Sequence, residues 1–156
     1  MKKNLLAAVL IIMLLGTLVL AGCSSVNASV DQEPTSVYYL AIQEYSESEE
    51  DSYVLSRKLA DMIDEMSEGL LKIKIFPSGK LVDAFELHKG VRDGIIDAAF
   101  SNPALWPVTS KKAAALYNIK VFASEGKEFI ISEESWDKLP DNLKEVLKSA
   151  LKECGF

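Results

Sequence analysis

Hydrophobic and polar positions along the chain change period several times, and each change predicts an element. Residues 5–20 are uninterrupted by charge. Residues 24–36, "SSVNASVDQEPTS", carry few large apolar groups. "VYYLAI" (37–42) is rich in β-formers and reads as a strand buried on both faces. After the polar stretch "QEYSESEED", Leu55, Leu59, Met62, Ile63 and Met66 recur at helical spacing. Ser48 stands as that helix's N-cap, the acids after it suit the positive end of the helix dipole, and Gly69 ends it. "LLKIKIF" (70–76) alternates, with Leu71, Ile73 and Ile75 on one side and two lysines on the other, so a half-exposed strand is expected.

"PSGK" (77–80) is a turn. Asp83 and Glu86 cap a short helix carrying Phe85, Leu87 and Val91, and "IIDAAFS" (95–101) follows as a third strand. Strand, helix, strand, helix, strand is the order of a parallel α/β unit with right-handed crossovers. In such a sheet, ligands lie beyond the carboxyl ends of the strands. That places Gln43, Glu44, Pro77, Ser78, Ser101 and Asn102 at one rim, with Trp106 just past it. Further on, "AAALYN" is a short helix and "IKVFA" and "EFIIS" are strands. Ser132 opens a helical turn, and Pro140 stands at the first position of a last helix in which Leu143, Val146, Leu147, Ala150 and Leu151 repeat.

Chemistry changes the reading of the N-terminus first. Lys2 and Lys3 precede the apolar run, and Leu20-Ala21-Gly22-Cys23 closes it. A basic start, an apolar stretch and small residues before a cut site are the layout of a secretory signal. The last four residues match the bacterial lipobox. That resemblance implies cleavage before Cys23, a lipid on its sulfur, and a chain held on the outer side of the cytoplasmic membrane (periplasm or cell surface). The alternative is an uncleaved anchor helix. The expected organisation is a signal peptide over 1–22, a flexible tether over 23–36, an α/β lobe over 37–110, and a C-terminal strand with helices over 111–156.

Composition excludes several classes. The 156-residue chain carries 17 basic and 23 acidic residues, net −6, and loss of residues 1–22 removes two lysines and no acid. Such a chain offers no nucleic-acid surface. One histidine, His88, and two cysteines make no common zinc set. The acidic run at 48–52 lacks the alternating ligands and central glycine of a calcium loop. His88 reads as a solvated helix residue with no nucleophile near it in sequence, and Cys154 as an incidental thiol near a fraying end. Trp136 reads as core. No catalytic set, cofactor or metal is expected, and a binding module fits better than an enzyme.

The stretch "SRKLADMIDEMSEGLLKIKIFPSGKLVDAFELHKGVRDGIIDAAFSN" resembles the N-terminal portion of the solute-binding proteins of TRAP (tripartite ATP-independent periplasmic) transporters. The residues carrying the likeness are Gly69, Pro77-Ser78-Gly79-Lys80-Leu81 and Gly94-Ile95-Ile96-Asp97. A second likeness, to the family's C-terminal strand and helix, lies in "FIISEESWDKLPDNLKEVLKSAL". The resemblance implies a periplasmic-binding-protein-like (class II type) fold, made incomplete by the loss of most of a second lobe. It also implies capture of a small organic acid for membrane permease subunits, without covalent chemistry. The family's carboxylate-pairing arginine has no counterpart, since the two arginines, Arg57 and Arg92, lie in first-lobe helices. First-lobe contacts are expected from Gln43, Ser101, Asn102 and Trp106, on strand-end position. The competing expectation is a lipoprotein interaction module, or a remnant without function.

Overall fold

The computed structural model describes residues 36–46, 51–105, 110–124 and 126–156. Cys23, Ser48, Trp106, the signal and the tether lie outside the described residues. The described residues form one compact unit.

Its elements run β1 (Tyr38–Gln43), α1 (Asp51–Met66), β2 (Leu71–Phe76), a 3-10 turn (Ala84–Glu86), α2 (Leu87–Arg92), β3 (Ala98–Ser101), a second 3-10 turn (Pro103–Leu105), α3 (Ser110–Tyr117), β4 (Ile119–Ser124), β5 (Lys127–Ser132), α4 (Glu133–Lys138) and α5 (Asp141–Glu153). One five-stranded sheet has the order β2-β1-β3-β5-β4. β1 is parallel to β2 and β3, whereas β5 runs antiparallel to β3 and β4. The fold is therefore α/β with a mixed sheet. The C-terminal strands complete the sheet that the three parallel strands begin.

Handedness arranges the layers. The chain leaves β1 for one neighbour and crosses back over it to the other. Two right-handed crossovers in opposite directions put their helices on opposite faces. On one face α1, α4 and α5 cover Leu40, Ile42, Ala98, Phe100, Phe129 and Ile131. On the other, α2 and α3 cover Ala99 and Ile130. The period-2 alternation through Ala98, Ala99 and Phe100 is what assigns each side chain to its layer.

Asp97 ties the layers together. Its Oδ2 accepts from the Ala41 N–H of β1 at 2.8 Å, and its Oδ1 accepts from the Ser135 hydroxyl of α4 at 2.6 Å. Its backbone adds an N–H to the Ala41 carbonyl and takes one from Ser132, each at 3.0 Å. The Gly-x-x-Asp motif is thus a junction of β1, β3, β5 and α4.

Several expectations are corrected. β3 starts at Ala98 rather than Ile95, because the Ile95 and Ile96 N–H groups turn back to the Gly90 carbonyl and close α2, leaving none for the ladder. Phe85 is largely exposed, since the 3-10 turn it sits in breaks the helical spacing. His88 is buried and packs against the Tyr117 ring, 4.8 Å between centroids. Cys154 is buried against the α1 helix, its thiol 4.0 Å from the Met62 sulfur. Burial pushes that thiol's pKa up. The start of β1 is exposed at Tyr39, so that strand is covered on both faces only toward its carboxyl end. Pro140 is the N-cap of α5 rather than its first residue. The α1 stripe from Leu55 to Ile63, the Gly69 terminator (φ +81°) and the core position of Trp136 are as the sequence predicts, whereas Met66 at the end of the stripe is exposed.

Candidate functional site

The chain runs from β1 outward on both sides, to β2 and later to β3. The crevice between the carboxyl ends of β1 and β3 is therefore a topological switch point. A pocket of about 220 Å³ opens there. Glu44, Tyr45 and Ser46 enter it from the end of β1, Phe100 and Ser101 from β3, and Lys127 and Glu128 from the start of β5. Leu55 and Ser56 of α1 and the terminal Phe156 close its sides.

The first wall is held by Gln43. This side chain is fully buried. Its Oε1 accepts from the Leu81 and Val82 N–H groups at 2.8 and 3.0 Å, and its Nε2 donates to the Val82 carbonyl at 2.6 Å. Ser78 adds a hydroxyl donation to the Tyr45 carbonyl at 3.1 Å, and Gly79 takes φ +68° so the turn can close. The Pro-Ser-Gly-Lys-Leu motif is thus a loop strapped to the end of β1. Gln43 shapes the rim, with both its amide oxygen and its amide nitrogen engaged by the loop. The loop also packs tightly beneath: a Cβ on Gly90 would lie 2.6 Å from a Val82 methyl.

Ser101 is buried and lines the pocket, as strand-end position predicts. Asn102 turns away. Its Oδ1 accepts from the Ala104 N–H at 2.9 Å and opens the second 3-10 turn. Ser101 stands opposite Glu128 in the β3–β5 register, which brings a second buried carboxyl beside Glu44. Lys127 is the cation in the pocket lining. Sequence reading finds Glu44 at this rim but misses Lys127 and Glu128. The antiparallel return of β5 delivers its first residues, not its last, to the carboxyl ends of the parallel strands.

Arg92 is at the opposite end of β3, in a small polar pocket with Asp97, Ser132 and Ser135. Both its Nε and Nη2 donate to Asp93, at 2.7 and 2.9 Å. His88 has its pKa lowered, chiefly by burial and then by Lys89. It belongs to the α2–α3 layer and does not line the rim pocket. Among the described residues, no cluster of three or more His, Cys, Asp or Glu could hold a metal ion.

Comparison with known proteins fits this geometry. The chain superposes on a TRAP periplasmic solute-binding protein from Colwellia psychrerythraea, solved with calcium and pyruvate. The TM-score is 0.68 and identity 13%, over 78% of this chain and 74% of that one. A TRAP solute-binding protein from Bordetella bronchiseptica, with calcium and picolinate in its active site, gives 0.65 and 9% over 78% and 73%. A receptor from Bordetella pertussis that binds pyroglutamic acid gives 0.63 and 9% over 76% and 78%. At such identities the likeness shows the fold alone.

Residues 44–119 match the family of bacterial extracellular solute-binding proteins, family 7. A 58-residue stretch is 38% identical to the 2,3-diketo-L-gulonate-binding periplasmic protein YiaO of Escherichia coli. It amounts to 36% of this chain and 18% of that protein, so the chain spans under a fifth of the curated relative it matches. The chain is thus similar over residues 44–119 to this family of solute-binding proteins, and in fold to solute-binding proteins of TRAP transporters.

Proposed function

We propose that this chain is a lipid-anchored, extracytoplasmic solute-binding protein of a TRAP-type transporter, shortened in its second lobe. It takes a small organic acid at the rim of β1, β3 and β5 and delivers it to membrane permease subunits. The observation that carries the reading is the pocket at the switch point of a lobe with this family's fold. The matched relatives bind diketogulonate, pyruvate and pyroglutamate, which are all small acids.

Within the pocket, Lys127 is the group that meets the ligand's carboxylate, and Ser101 supplies a hydroxyl beside it. Glu44 and Glu128 favour a ligand that brings donors, such as the hydroxyls of a sugar acid. A pocket of about 220 Å³ is smaller than the roughly 300–1,000 Å³ of most small-molecule sites, as half of a cleft should be. Cys23 carries the lipid, residues 1–22 are the signal and 23–36 the tether. The lobe occupies 37–110, and the strands and helices of 111–156 complete it.

The test is a thermal melt of the full chain in mild detergent with a panel of sugar acids and short keto and dicarboxylic acids. Occupancy at one hundred times Kd stabilises by about 2.7 kcal/mol, a shift of several degrees. No shift at millimolar concentration with any acid sinks the reading.

A further inference from the structure

β4 is an edge of the sheet: among the described residues, its outer side carries no strand. A groove of about 650 Å³ follows that edge. Its floor is Ile119, Lys120, Val121 and Phe122 of β4. One wall comes from α3 on one face of the sheet, with Lys111 and Ala114. The other comes from the opposite face, with Trp136 of α4 and Lys148 of α5. A slot with a strand edge as its floor and helices from both faces as its walls has the shape of a place for a sixth strand.

Its charge is unlike the rest of the chain. Acids outnumber bases 23 to 17 overall, yet among the described residues the groove lining has three lysines and no carboxyl. Lys120 and Lys148 reach Glu133 and Glu145 at 3.7 and 2.7 Å, outside the groove, as exposed ion pairs. Such pairs contribute little and exchange readily for an incoming carboxylate. The wall on the α4 side is also aromatic. The Phe122 and Trp136 rings are 5.6 Å apart, and the Lys148 ammonium sits 5.6 Å from the indole centroid.

We propose that this groove docks an extended acidic segment of a partner polypeptide, which adds to β4 as a sixth strand. Backbone hydrogen bonds along the edge supply affinity, and alternate side chains choose the partner. One set packs on Phe122 and Trp136, and carboxylates reach the three lysines. A second copy of this chain fits poorly, because pairing β4 with β4 brings both sets of lysines to one seam. A small acid fits poorly as well, because the groove is open and buries little of it.

The test uses the full chain in non-ionic detergent and an acetylated, fluorescent octapeptide of alternating glutamate and valine. Saturable binding below about 1 mM is expected, weakening as salt rises. Amide exchange should slow across 119–124. The variant K111E/K120E/K148E should bind at least about tenfold more weakly while its circular dichroism is unchanged. Should that variant fail to fold, the salt dependence and the exchange pattern decide. The proposal is overturned by no saturation, or by equal binding of a lysine–valine octapeptide. Binding without protection at 119–124 also overturns it. So does a concentration-dependent dimer that the peptide dissolves, which would assign the groove to a second copy.

Discussion

Replacing Asp97 by alanine tests the junction that holds the layers together. The carboxylate takes two donors, the Ala41 N–H at 2.8 Å and the Ser135 hydroxyl at 2.6 Å. A hydrogen bond to a charged group contributes about 1.5–3 kcal/mol, and an orphaned buried donor adds a penalty of similar size. The backbone bonds of Asp97 survive the change, so the loss is that of the two side-chain bonds, roughly 3–6 kcal/mol. Against a typical stability of about 5–15 kcal/mol this is a large fraction. For a unit of this size it corresponds to a fall in Tm of about 10–20 °C. Asp97→Asn should fall between, because its amide keeps one acceptor and aims N–H groups at a donor. Ser135→Ala removes one of the two bonds and should cost about 1.5–3 kcal/mol. Urea unfolding of D97A, S135A and the double variant should give a coupling energy well above zero. A Tm of D97A within about 2 °C of the parent would refute the reasoning.

Other outcomes follow from single contacts. Gly90→Ala drives a methyl to 2.6 Å from Val82. Overpacking of about 1–3 kcal/mol outweighs the roughly 1 kcal/mol that alanine gains in helix propensity, so Tm should fall, and Val82→Ala should restore it. A rise in Tm for Gly90→Ala alone would contradict this. Burial lowers the His88 pKa below its unfolded value of about 6.5. The unfolded chain then binds the extra proton first, so stability is full above that value and declines as pH falls toward the folded pKa. His88→Phe should flatten the dependence of the urea midpoint between pH 7 and 5, and an unchanged slope would sink the idea. Cys154 is buried with a raised pKa, so iodoacetamide should label it slowly in the folded chain and quickly in urea. Equal rates would show that its helix end is open.

Much of the fold is legible in the sequence because period and punctuation agree. The α1 stripe ends at Gly69, the lysine alternation marks β2, and the repeat of Leu143, Leu147, Ala150 and Leu151 buries as one face of α5. Burial at isolated polar positions is not legible. His88 and Cys154 depend on which helix lands opposite them, and no local pattern around either residue encodes the Tyr117 ring or the Met62 sulfur. The rim is half legible. Strand ends place Glu44 and Ser101 correctly, but Gln43, one residue earlier, points into the loop at Val82. Lys127 and Glu128 reach the rim through an antiparallel pairing that becomes visible only when β5 is laid beside β3. The motif residues Pro77 to Leu81 and Asp97 have structural contacts: they close a loop and lock a junction.

The claim that the rim takes a small organic acid is tested most directly by amide chemical shifts of isotope-labelled chain during titration with a sugar acid such as 2,3-diketo-L-gulonate, and with pyruvate and pyroglutamate. The account predicts saturable shifts confined to residues 44–46, 55–56, 100–101 and 127–128, and their loss in Lys127→Glu. No shifts with any acid, or shifts centred elsewhere and untouched by that substitution, would contradict it.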